Sequence, residues 1–330
     1  MKDNFVPPGP LVTPILFLIF NRPDTTQKVF NEIRQAKPRR FFVAADGPRP
    51  DKKGEIEKCE QARKVIGQVD WDCEVKTLPR ENNLGCKIAV SSAIDWFFEN
   101  VEEGIILEDD CLPGQSFFWF CQELLEYYRY DTRVMHISGN NFQFSRKRGE
   151  GSYYFSKYPH IWGWATWKRA WKHSDVNMSN FEKFKTENQI NNIFQIKQQQ
   201  KYWMKIFQRV YDNKINTWDY QWTHTCFINN GLCITPNYNL VSNIGFNRDS
   251  LHTKDENSIF SKMEIEDIKN IKHPNFILID QEADNLTSKF VFGNIFFFNR
   301  LINKTKEVIS NLLKLMGLYK FVKKIYRKFL

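Results

Sequence analysis

The sequence has 330 residues, of which 42% are hydrophobic, 26% charged and 15% aromatic. This aromatic content excludes a disordered chain, and the length allows one large domain or two fused domains. Of the net charge of +9, the segment 301–330 contributes +7 from eight Lys/Arg and one Glu, so the first 300 residues are nearly neutral. We therefore expect no nucleic-acid-binding body.

The sequence carries no sign of a membrane span or a secretion signal. No apolar run reaches the roughly 18 residues that a spanning helix needs, and Lys2 and Asp3 lead into a Pro-Pro-Gly-Pro segment. The seven cysteines form no C-x-x-C pair. Together these features favour a reduced, cytoplasmic compartment and disfavour a structural zinc site.

The first 140 residues alternate between apolar runs and helical stretches. The runs that predict strands are Ile15–Phe20, Phe41–Ala45, Glu74–Leu78 and Gly104–Leu107, and the helical stretches are Thr25–Ala36, Gly54–Gly67 and Gly85–Glu99. This alternation is typical of βαβ units with right-handed crossovers. We therefore predict an α/β, Rossmann-like fold with a mostly parallel central sheet flanked by helices.

The second half of the chain is less regular. The pattern predicts a strand over His136–Asn140, a helix over Trp218–Asn229, short strands over Leu232–Pro236 and Asn239–Ser242, an exposed helix or flexible linker over 188–201, and a loop over 247–256. Within an aromatic segment, Trp164, Trp167 and Trp171 have helical spacing, which favours packing in the core for the last two. We predict one domain over 11–280, divided into 11–140 and 141–280, followed by a basic helical tail over 286–330.

The predicted strands of the first half end in polar residues. Asn21 and Arg22 follow the first strand, Asp46 the second, Arg80 the third and Glu108-Asp109-Asp110 the fourth. In a parallel sheet these ends meet at the carboxyl edge, where ligands bind.

Three adjacent carboxylates repel one another, and a divalent cation is their natural compensation. Oxygen ligands favour Mn²⁺ or Mg²⁺ over zinc. On an extended segment Glu108 and Asp110 would face one way and Asp109 the other. The alternative is a solvated acidic surface.

These pieces, in this order, resemble a metal-dependent glycosyltransferase of the GT-A fold over about residues 12–255. The family that we name is that of N-acetylglucosaminyltransferase I, with related bacterial sugar-transferase-like proteins. Asn21-Arg22-Pro23 resembles the family's nucleotide-contacting first turn, Asp46-Gly47 the segment whose Asp reads uracil, and Asn83-Leu84-Gly85-Cys86-Lys87 the helix start that presents a basic residue. The resemblance implies that Asp110 holds the metal while Glu108 and Asp109 touch ribose and sugar, and Arg22, Arg80 and Lys87 are candidate phosphate or ribose clamps.

The second half carries the implied acceptor side. Ile161-Trp162-Gly163-Trp164-Ala165-Thr166 resembles the family's Gly-x-Gly-Trp segment without the first Gly, and Trp162 and Trp164 either line the site or belong to the core. Trp218-Asp219-Tyr220-Gln221-Trp222 resembles the stretch with the catalytic base, which makes Asp219 the candidate base and Asp175 a weaker substitute. The alternative is that Thr217 or Asp219 caps a helix. His252 stands where many such enzymes place a second metal ligand.

The implied function is transfer of a sugar from a nucleotide-diphosphate donor, expected to be a UDP-sugar, to a glycan or lipid-linked acceptor in bacterial surface polysaccharide synthesis. The basic segment 301–330 predicts peripheral contact with anionic lipid at the inner face of the cytoplasmic membrane, or else a helix packed on the body. Two alternatives are a non-catalytic sugar-binding protein and a sugar-phosphate nucleotidyltransferase. The latter class has a Gly-rich first turn, which Phe20-Asn21-Arg22-Pro23 lacks.

Overall fold

The computed structural model describes residues 5–246, 259–261 and 263–292. His252, the predicted loop over 247–256 and the basic segment 301–330 lie outside these residues. The chain divides into one unit that ends at Asp284 and a second that begins at Asn285. No helix within the described ranges is long and apolar enough to cross a membrane.

The described chain forms ten strands and ten α-helices. The strands are β1 Ile15–Ile19, β2 Arg40–Ala45, β3 Glu74–Pro79, β4 Glu103–Glu108, β5 Cys111–Pro113, β6 Val134–Ser138, β7 Tyr153–Ser156, β8 Trp164–Trp167, β9 Leu232–Pro236 and β10 Val241–Asn243. The helices are α1 Pro23–Ala36, α2 Glu55–Lys64, α3 Gly85–Asn100, α4 Gln115–Tyr127, α5 Lys168–Trp171, α6 Phe181–Thr186, α7 Ile190–Ile193, α8 Lys197–Tyr211, α9 Asp219–Ile228 and α10 Gln281–Thr287. A 3₁₀ turn, Val65–Gln68, extends α2, and a π-helix, Ser288–Phe292, follows α10.

Eight strands form the central sheet in the order β3-β2-β1-β4-β8-β6-β9-β7. β8 is antiparallel to both of its neighbours and β7 is antiparallel to β9, whereas the other pairs are parallel. β10 and β5 form a separate antiparallel pair. The predicted mixed α/β, Rossmann-like fold with a mostly parallel sheet is confirmed.

Side-chain alternation along the strands explains why helices cover both faces. In β1, Ile15, Phe17 and Ile19 belong to one buried cluster, while Leu16 and Leu18 belong to the other. The first cluster includes the apolar side chains of α1 and α4, and the second includes those of α3 and α9. Burying each such side chain stabilises the fold by about 1.5–3 kcal/mol, so both layers are strongly held to the sheet.

Two details differ from the sequence prediction, and one predicted alternative is confirmed. Trp164 and Trp167 lie in strand β8, between β4 and β6, and not on a helix. Both rings are buried, so two-sided burial in the sheet overrides the helical spacing. The region 188–201 contains α7 and the beginning of α8, which agrees with the helix that was one of its two predicted alternatives. Strand β5, which follows the carboxylates directly, has no signal in the sequence.

Candidate active site

The carboxyl ends of four parallel strands meet at one edge of the sheet. These are β3, β2, β1 and β4, which are neighbours in that order. The residues that follow them include Asn21 and Arg22, Asp46, Arg80, and the acidic residues after β4. The structure therefore confirms the predicted convergence of these strand ends.

Asp109 and Asp110 face the same cation. β4 ends at Glu108, and the chain turns over the next two residues. Arg22 Nη1 donates to Asp110 Oδ2 at 2.8 Å, and Arg22 Nη2 donates to Asp109 Oδ1. The predicted arrangement, with Asp109 facing away from Asp110, is wrong because it assumed an extended strand where the chain turns.

The backbone on both sides of Arg22 is fixed. Arg22 precedes α1, whose first residue is Pro23, and proline suits that position because its fixed φ matches the helix. The Arg22 carbonyl accepts hydrogen bonds from Thr26 N at 2.9 Å and Thr26 Oγ1 at 2.7 Å. Phe20 N donates to Asp109 Oδ2 at 3.1 Å. The end of β1 and the start of α1 are therefore both joined to the acidic turn.

Negative charge exceeds positive charge at this edge. Burial raises the pKa of Asp109, although Arg22 opposes the shift. Burial also raises the pKa of Glu108, and the charges of Asp110, Asp109 and Asp219 add to the effect. Burial disfavours the charged form of Arg22, but Asp109 and Asp110 outweigh it and raise the pKa of Arg22. The carboxylates at this edge therefore repel one another when charged, and the Arg22 guanidinium offsets part of that repulsion.

A segment after β10 covers Asp110, and the sequence prediction missed it. Ile244 N donates to Asp110 O at 2.8 Å, and Gly245 N donates to Asn243 Oδ1 at 2.8 Å. A Cβ atom on Gly245 would lie 2.3 Å from Asp110 Oδ2 and 2.9 Å from Arg22 Nη1. Glycine is therefore required at this close approach. The available signal was the Asn-Ile-Gly sequence directly after a predicted strand.

Asp46, predicted to read uracil, holds the loop before α3. Its Oδ1 accepts from Gly47 N and Leu84 N, both at 2.9 Å, and its Oδ2 accepts from Asn83 Nδ2 at 2.9 Å. A Cβ on Gly47 would lie 2.4 Å from the Asn82 backbone, which explains the glycine. These bonds use most of the acceptor capacity of one carboxylate, so Asp46 positions the loop that leads into α3.

Asn21 is joined to the start of α2. Asn21 Nδ2 donates to Glu55 Oε1 at 2.8 Å, and Arg49 N donates to Glu55 Oε2 at 2.7 Å. Hydrogen bonding from the Arg49 guanidinium lowers the pKa of Glu55 to about 2. Glu55 is buried and charged, and it was not predicted from the sequence. It anchors Asn21 beside the carboxyl edge.

Two of the predicted basic residues are engaged with other parts of the chain. Arg80 Nη2 donates to Ser92 Oγ, within α3, at 3.2 Å. Lys87 Nζ donates to Asn213 Oδ1 at 3.2 Å, which joins the start of α3 to the loop before α9. Arg22 is the predicted cation that the structure places on the acidic pair.

Asp219 is the first residue of α9. Trp218 occupies the N-cap position, and within the described residues no side chain caps this helix end, so the capping alternative for Thr217 or Asp219 is wrong. Thr217 Oγ1 instead donates to Asp219 Oδ1. Burial raises the pKa of Glu108 and of the Cys86 thiol, and the charge of Asp219 adds to both shifts together with other nearby charges. The Asp219 carboxylate therefore lies within electrostatic range of the end of β4 and the start of α3.

Asp175, the weaker candidate for the catalytic base, accepts hydrogen bonds from its own turn. Its Oδ1 accepts from Asn177 N at 3.0 Å, and its Oδ2 accepts from Ser179 Oγ at 2.6 Å. Asp175 therefore stabilises its own turn, whereas Asp219 lies at the start of α9.

Trp164 belongs to the core, contrary to the alternative that it lines the site. Its ring is 1% exposed and stacks against His136 and Trp218, with centroid distances of 5.0 and 5.5 Å. Trp222 Nε1 donates to His136 Nδ1 at 3.2 Å. Because Trp218 and Trp222 flank the start of α9, this aromatic cluster supports the position of Asp219.

Trp162, by contrast, is only half-buried. Its ring packs edge-on against Phe142 at 5.2 Å and against Phe246 at 5.7 Å between centroids. Phe246 follows Gly245, whose backbone touches Asp110. Trp162 therefore contacts the segment that covers Asp110.

Asp110 supplies carboxylate oxygens, the ligand type that Mn²⁺ and Mg²⁺ prefer. Asp110 Oδ2 already accepts from a cationic group, and Asp110 Oδ1 accepts from the Cys111 thiol at 3.5 Å. Among the described residues no three metal-ligating side chains converge. Mg²⁺ is commonly held by one or two carboxylates together with water and substrate phosphates. Asp110 therefore fits such an ion when a phosphate ligand completes the coordination; His252 lies outside the described residues.

Comparisons with known proteins give distant structural similarities. No family model matches the chain, and no curated protein matches it. The crystal structure of HddC from Yersinia pseudotuberculosis aligns at 9% identity and a TM-score of 0.30, covering 48% of this chain and 78% of that one. UDP-glucose pyrophosphorylase complexed with UDP-glucose aligns at 10% identity and a TM-score of 0.26, covering 49% of this chain and 70% of that one. Similarities at this level do not identify a function.

Proposed function

We propose that the chain is an inverting glycosyltransferase of the GT-A type, which moves a sugar from a nucleotide-diphosphate donor to a hydroxyl acceptor. We take the donor to be a UDP-sugar and the acceptor to be a glycan or lipid-linked glycan. One observation carries the proposal. Asp109 and Asp110 follow the central strand β4, are buried, and jointly hold a cationic group at the edge where α/β sheets bind ligands.

The acidic turn and Arg22 form the proposed diphosphate site. Mn²⁺ or Mg²⁺ bound to Asp110 would neutralise the charge that develops on the departing diphosphate. The Arg22 side chain is 31% exposed and retains N–H groups beyond the two that bind carboxylates, so it can donate to a phosphate oxygen. Asp109 is 2% exposed, and its two oxygens accept from Phe20 N and Arg22, so it orients Arg22.

Asp219 is the proposed general base. A single carboxylate that accepts the proton of an acceptor hydroxyl suffices for direct displacement, which inverts the anomeric centre. Thr217 Oγ1 donates to one carboxylate oxygen of Asp219, and the stacking of Trp218 on Trp164 fixes the start of α9. The base is thereby held on a rigid element, and its charge reaches the end of β4.

The experiment is a thermal-shift screen of UDP, GDP, CDP and their common sugar conjugates, with and without Mn²⁺. A ligand at 100 times its Kd stabilises the folded protein by about 2.7 kcal/mol, so the correct base stands out. Asp110→Asn should lose the Mn²⁺-dependent shift. Glu57→Gln, which changes an exposed carboxylate on α2, should keep it and serves as the matched control.

The same preparation separates the alternative functions. Turnover of a nucleoside triphosphate with a sugar phosphate, releasing pyrophosphate, would favour a nucleotidyltransferase. Sugar binding with neither reaction would favour a non-catalytic sugar-binding protein. Release of free UDP from one UDP-sugar, lost in Asp219→Asn, supports the glycosyltransferase.

We also propose that residues 301–330 contact anionic membrane at the inner face of the cytoplasmic membrane, in the context of bacterial surface polysaccharide synthesis. Each Lys or Arg near an anionic surface contributes about 1 kcal/mol. Replacing Lys323, Lys324, Arg327 and Lys328 by glutamine should abolish co-sedimentation with phosphatidylglycerol vesicles at low salt. Unchanged co-sedimentation would refute this part of the proposal.

A further inference from the structure

Asn140 carries a buried amide without hydrogen-bond partners. It lies two residues after β6, is 0% exposed, and neither its Nδ2 nor its Oδ1 has a partner among the described residues. Leaving a buried polar group unsatisfied costs about 1–3 kcal/mol. A native fold tolerates such a cost where a ligand satisfies the group, so Asn140 requires an explanation.

A second unsatisfied polar atom lies in a segment that contacts two near neighbours of Asn140 in the chain. Ser138 and Phe142, the residues two positions before and after Asn140, both touch the segment that contains His160. Ser138 Oγ accepts from His160 N at 3.1 Å, and the Phe142 ring packs against the His160 ring at 4.8 Å. His160 Nε2 is buried and has no partner within the described part of the chain. Burial lowers the pKa of His160 to about 3, so the ring is neutral.

These groups adjoin the candidate active site. β6 is parallel to β4 through their common neighbour β8, so Asn140 follows β6 at the same carboxyl edge. Gly139 N donates to Gly163 O at 2.7 Å, which joins this strand end to the residue after Trp162. Trp162 in turn packs on Phe246, next to the segment that covers the acidic turn.

The chemistry of this group of residues matches a sugar. A side-chain amide both donates and accepts, as adjacent ring hydroxyls do, and a neutral imidazole nitrogen adds one more position. Trp162 packs on Phe142 and is half-buried, so the ring of Trp162 offers apolar surface for the C–H groups of a pyranose. Small-molecule sites typically have a largely apolar wall with a small number of polar groups in it.

We propose that Asn140, with His160 beside it, hydrogen-bonds the hydroxyl groups of a hexose in a sugar subsite next to the Asp109–Asp110 edge. The inference rests on the proposed function, since it assigns the residue that recognises the sugar. The sugar of the donor and that of the acceptor offer the same hydroxyl chemistry. Asn140 binds the sugar and takes no part in bond breaking.

The first measurement needs no ligand. Asn140→Leu has a similar volume and removes both unsatisfied atoms, so its melting temperature should equal or exceed that of the wild type. Asn141→Leu is the matched control, because Asn141 Nδ2 donates to Pro236 O at 2.5 Å and its Oδ1 accepts from Gln143 N at 2.5 Å. That control should melt at a lower temperature. Equal destabilisation of the two variants would show that Asn140 is structural and would overturn the inference.

The second measurement is calorimetric titration with Mn²⁺ present, using UDP, UDP-glucose, UDP-galactose, UDP-N-acetylglucosamine and the corresponding methyl glycosides. Asn140→Leu should bind UDP like the wild type. If the donor's sugar occupies the subsite, the variant should bind a UDP-sugar about tenfold or more weakly than the wild type. If the acceptor's sugar occupies it, the same loss of affinity should appear for a methyl glycoside. Unchanged affinity for every sugar probe would overturn the inference. If the wild type binds no nucleotide, the proposed function fails separately.

Discussion

Replacing Arg22 tests whether the acidic edge depends on a bound cation. Arg22→Met keeps much of the side-chain volume and removes the guanidinium that joins Asp109 and Asp110. These carboxylate side chains are 3% and 12% exposed, so water cannot replace the lost partner. Breaking a buried ion pair costs about 3–5 kcal/mol, and the 31% exposure of Arg22 favours the lower end of that range. We therefore expect Arg22→Met to lower the free energy of unfolding by about 3 kcal/mol at pH 8.

The loss should depend on pH with a defined sign. Burial raises the pKa of Asp109 and of Glu108, and removing Arg22 raises both pKa values further. The folded variant then keeps protons that the unfolded chain releases, so its stability falls as pH rises above the ordinary carboxyl range. The destabilisation should be smaller at pH 5 than at pH 8. Mn²⁺ should restore part of it, since the two carboxylates then have a cation again.

Urea denaturation followed by tryptophan fluorescence measures these differences. The matched control is Arg34→Met, because the pair that Arg34 forms with Asp70 has side chains that are 43% and 53% exposed. Exposed pairs contribute about 1 kcal/mol or less. If Arg22→Met costs no more than Arg34→Met, or costs the same at pH 5 and pH 8, the account of the acidic edge is wrong.

Three further predictions address the cover of the site, the base and a buried carboxyl group. Gly245→Ala should weaken UDP binding at least about tenfold by calorimetry, because the new Cβ would lie 2.3 Å from Asp110 Oδ2. The control Gly67→Ala should bind UDP normally, because its Cβ would meet no atom within 4 Å. Equal affinities of the two variants for UDP would contradict this geometry. Asp219→Asn should lower kcat by about 10²–10⁴ while leaving the Kd for UDP unchanged, and a variant with full kcat would exclude Asp219 as the base. Burial raises the pKa of Asp284 to about 6, so between about pH 4 and 6 the folded wild type retains a proton that the unfolded chain loses. Asp284→Asn should therefore gain roughly 2 kcal/mol relative to the wild type as pH rises through that range, and a difference that does not vary with pH would contradict this.

The sequence predicted those parts of the fold that depend on local periodicity. The strands β1 to β4 and helices α1 and α3 agree with their predicted ranges to within about two residues. The signal is clearest for β1, β2 and β4, which are apolar runs, and for α1, which is amphipathic. Strand β8 was misread, since helical spacing of Trp164 and Trp167 cannot be distinguished from burial on both faces of a sheet. Short β5 has too few residues for any pattern.

The sequence predicted which strand ends form the candidate site, but it did not predict the contacts between their side chains. The position of Asp109 and Asp110 follows from the end of β4, whereas their shared partner Arg22 depends on a turn that no alternation rule describes. The approach of Gly245 to Asp110 joins residues that are far apart in the chain, and single-sequence patterns carry no such information. The unsatisfied amide of Asn140 emerges only when every hydrogen bond around it is known.

The most direct test is a crystal structure of the protein with UDP and Mn²⁺. The account predicts the diphosphate at the carboxyl ends of β1 and β4, with Mn²⁺ on Asp110 and a phosphate oxygen within hydrogen-bond distance of Arg22. A nucleotide bound elsewhere, or an acidic turn that still holds only Arg22 at saturating UDP and Mn²⁺, would contradict it.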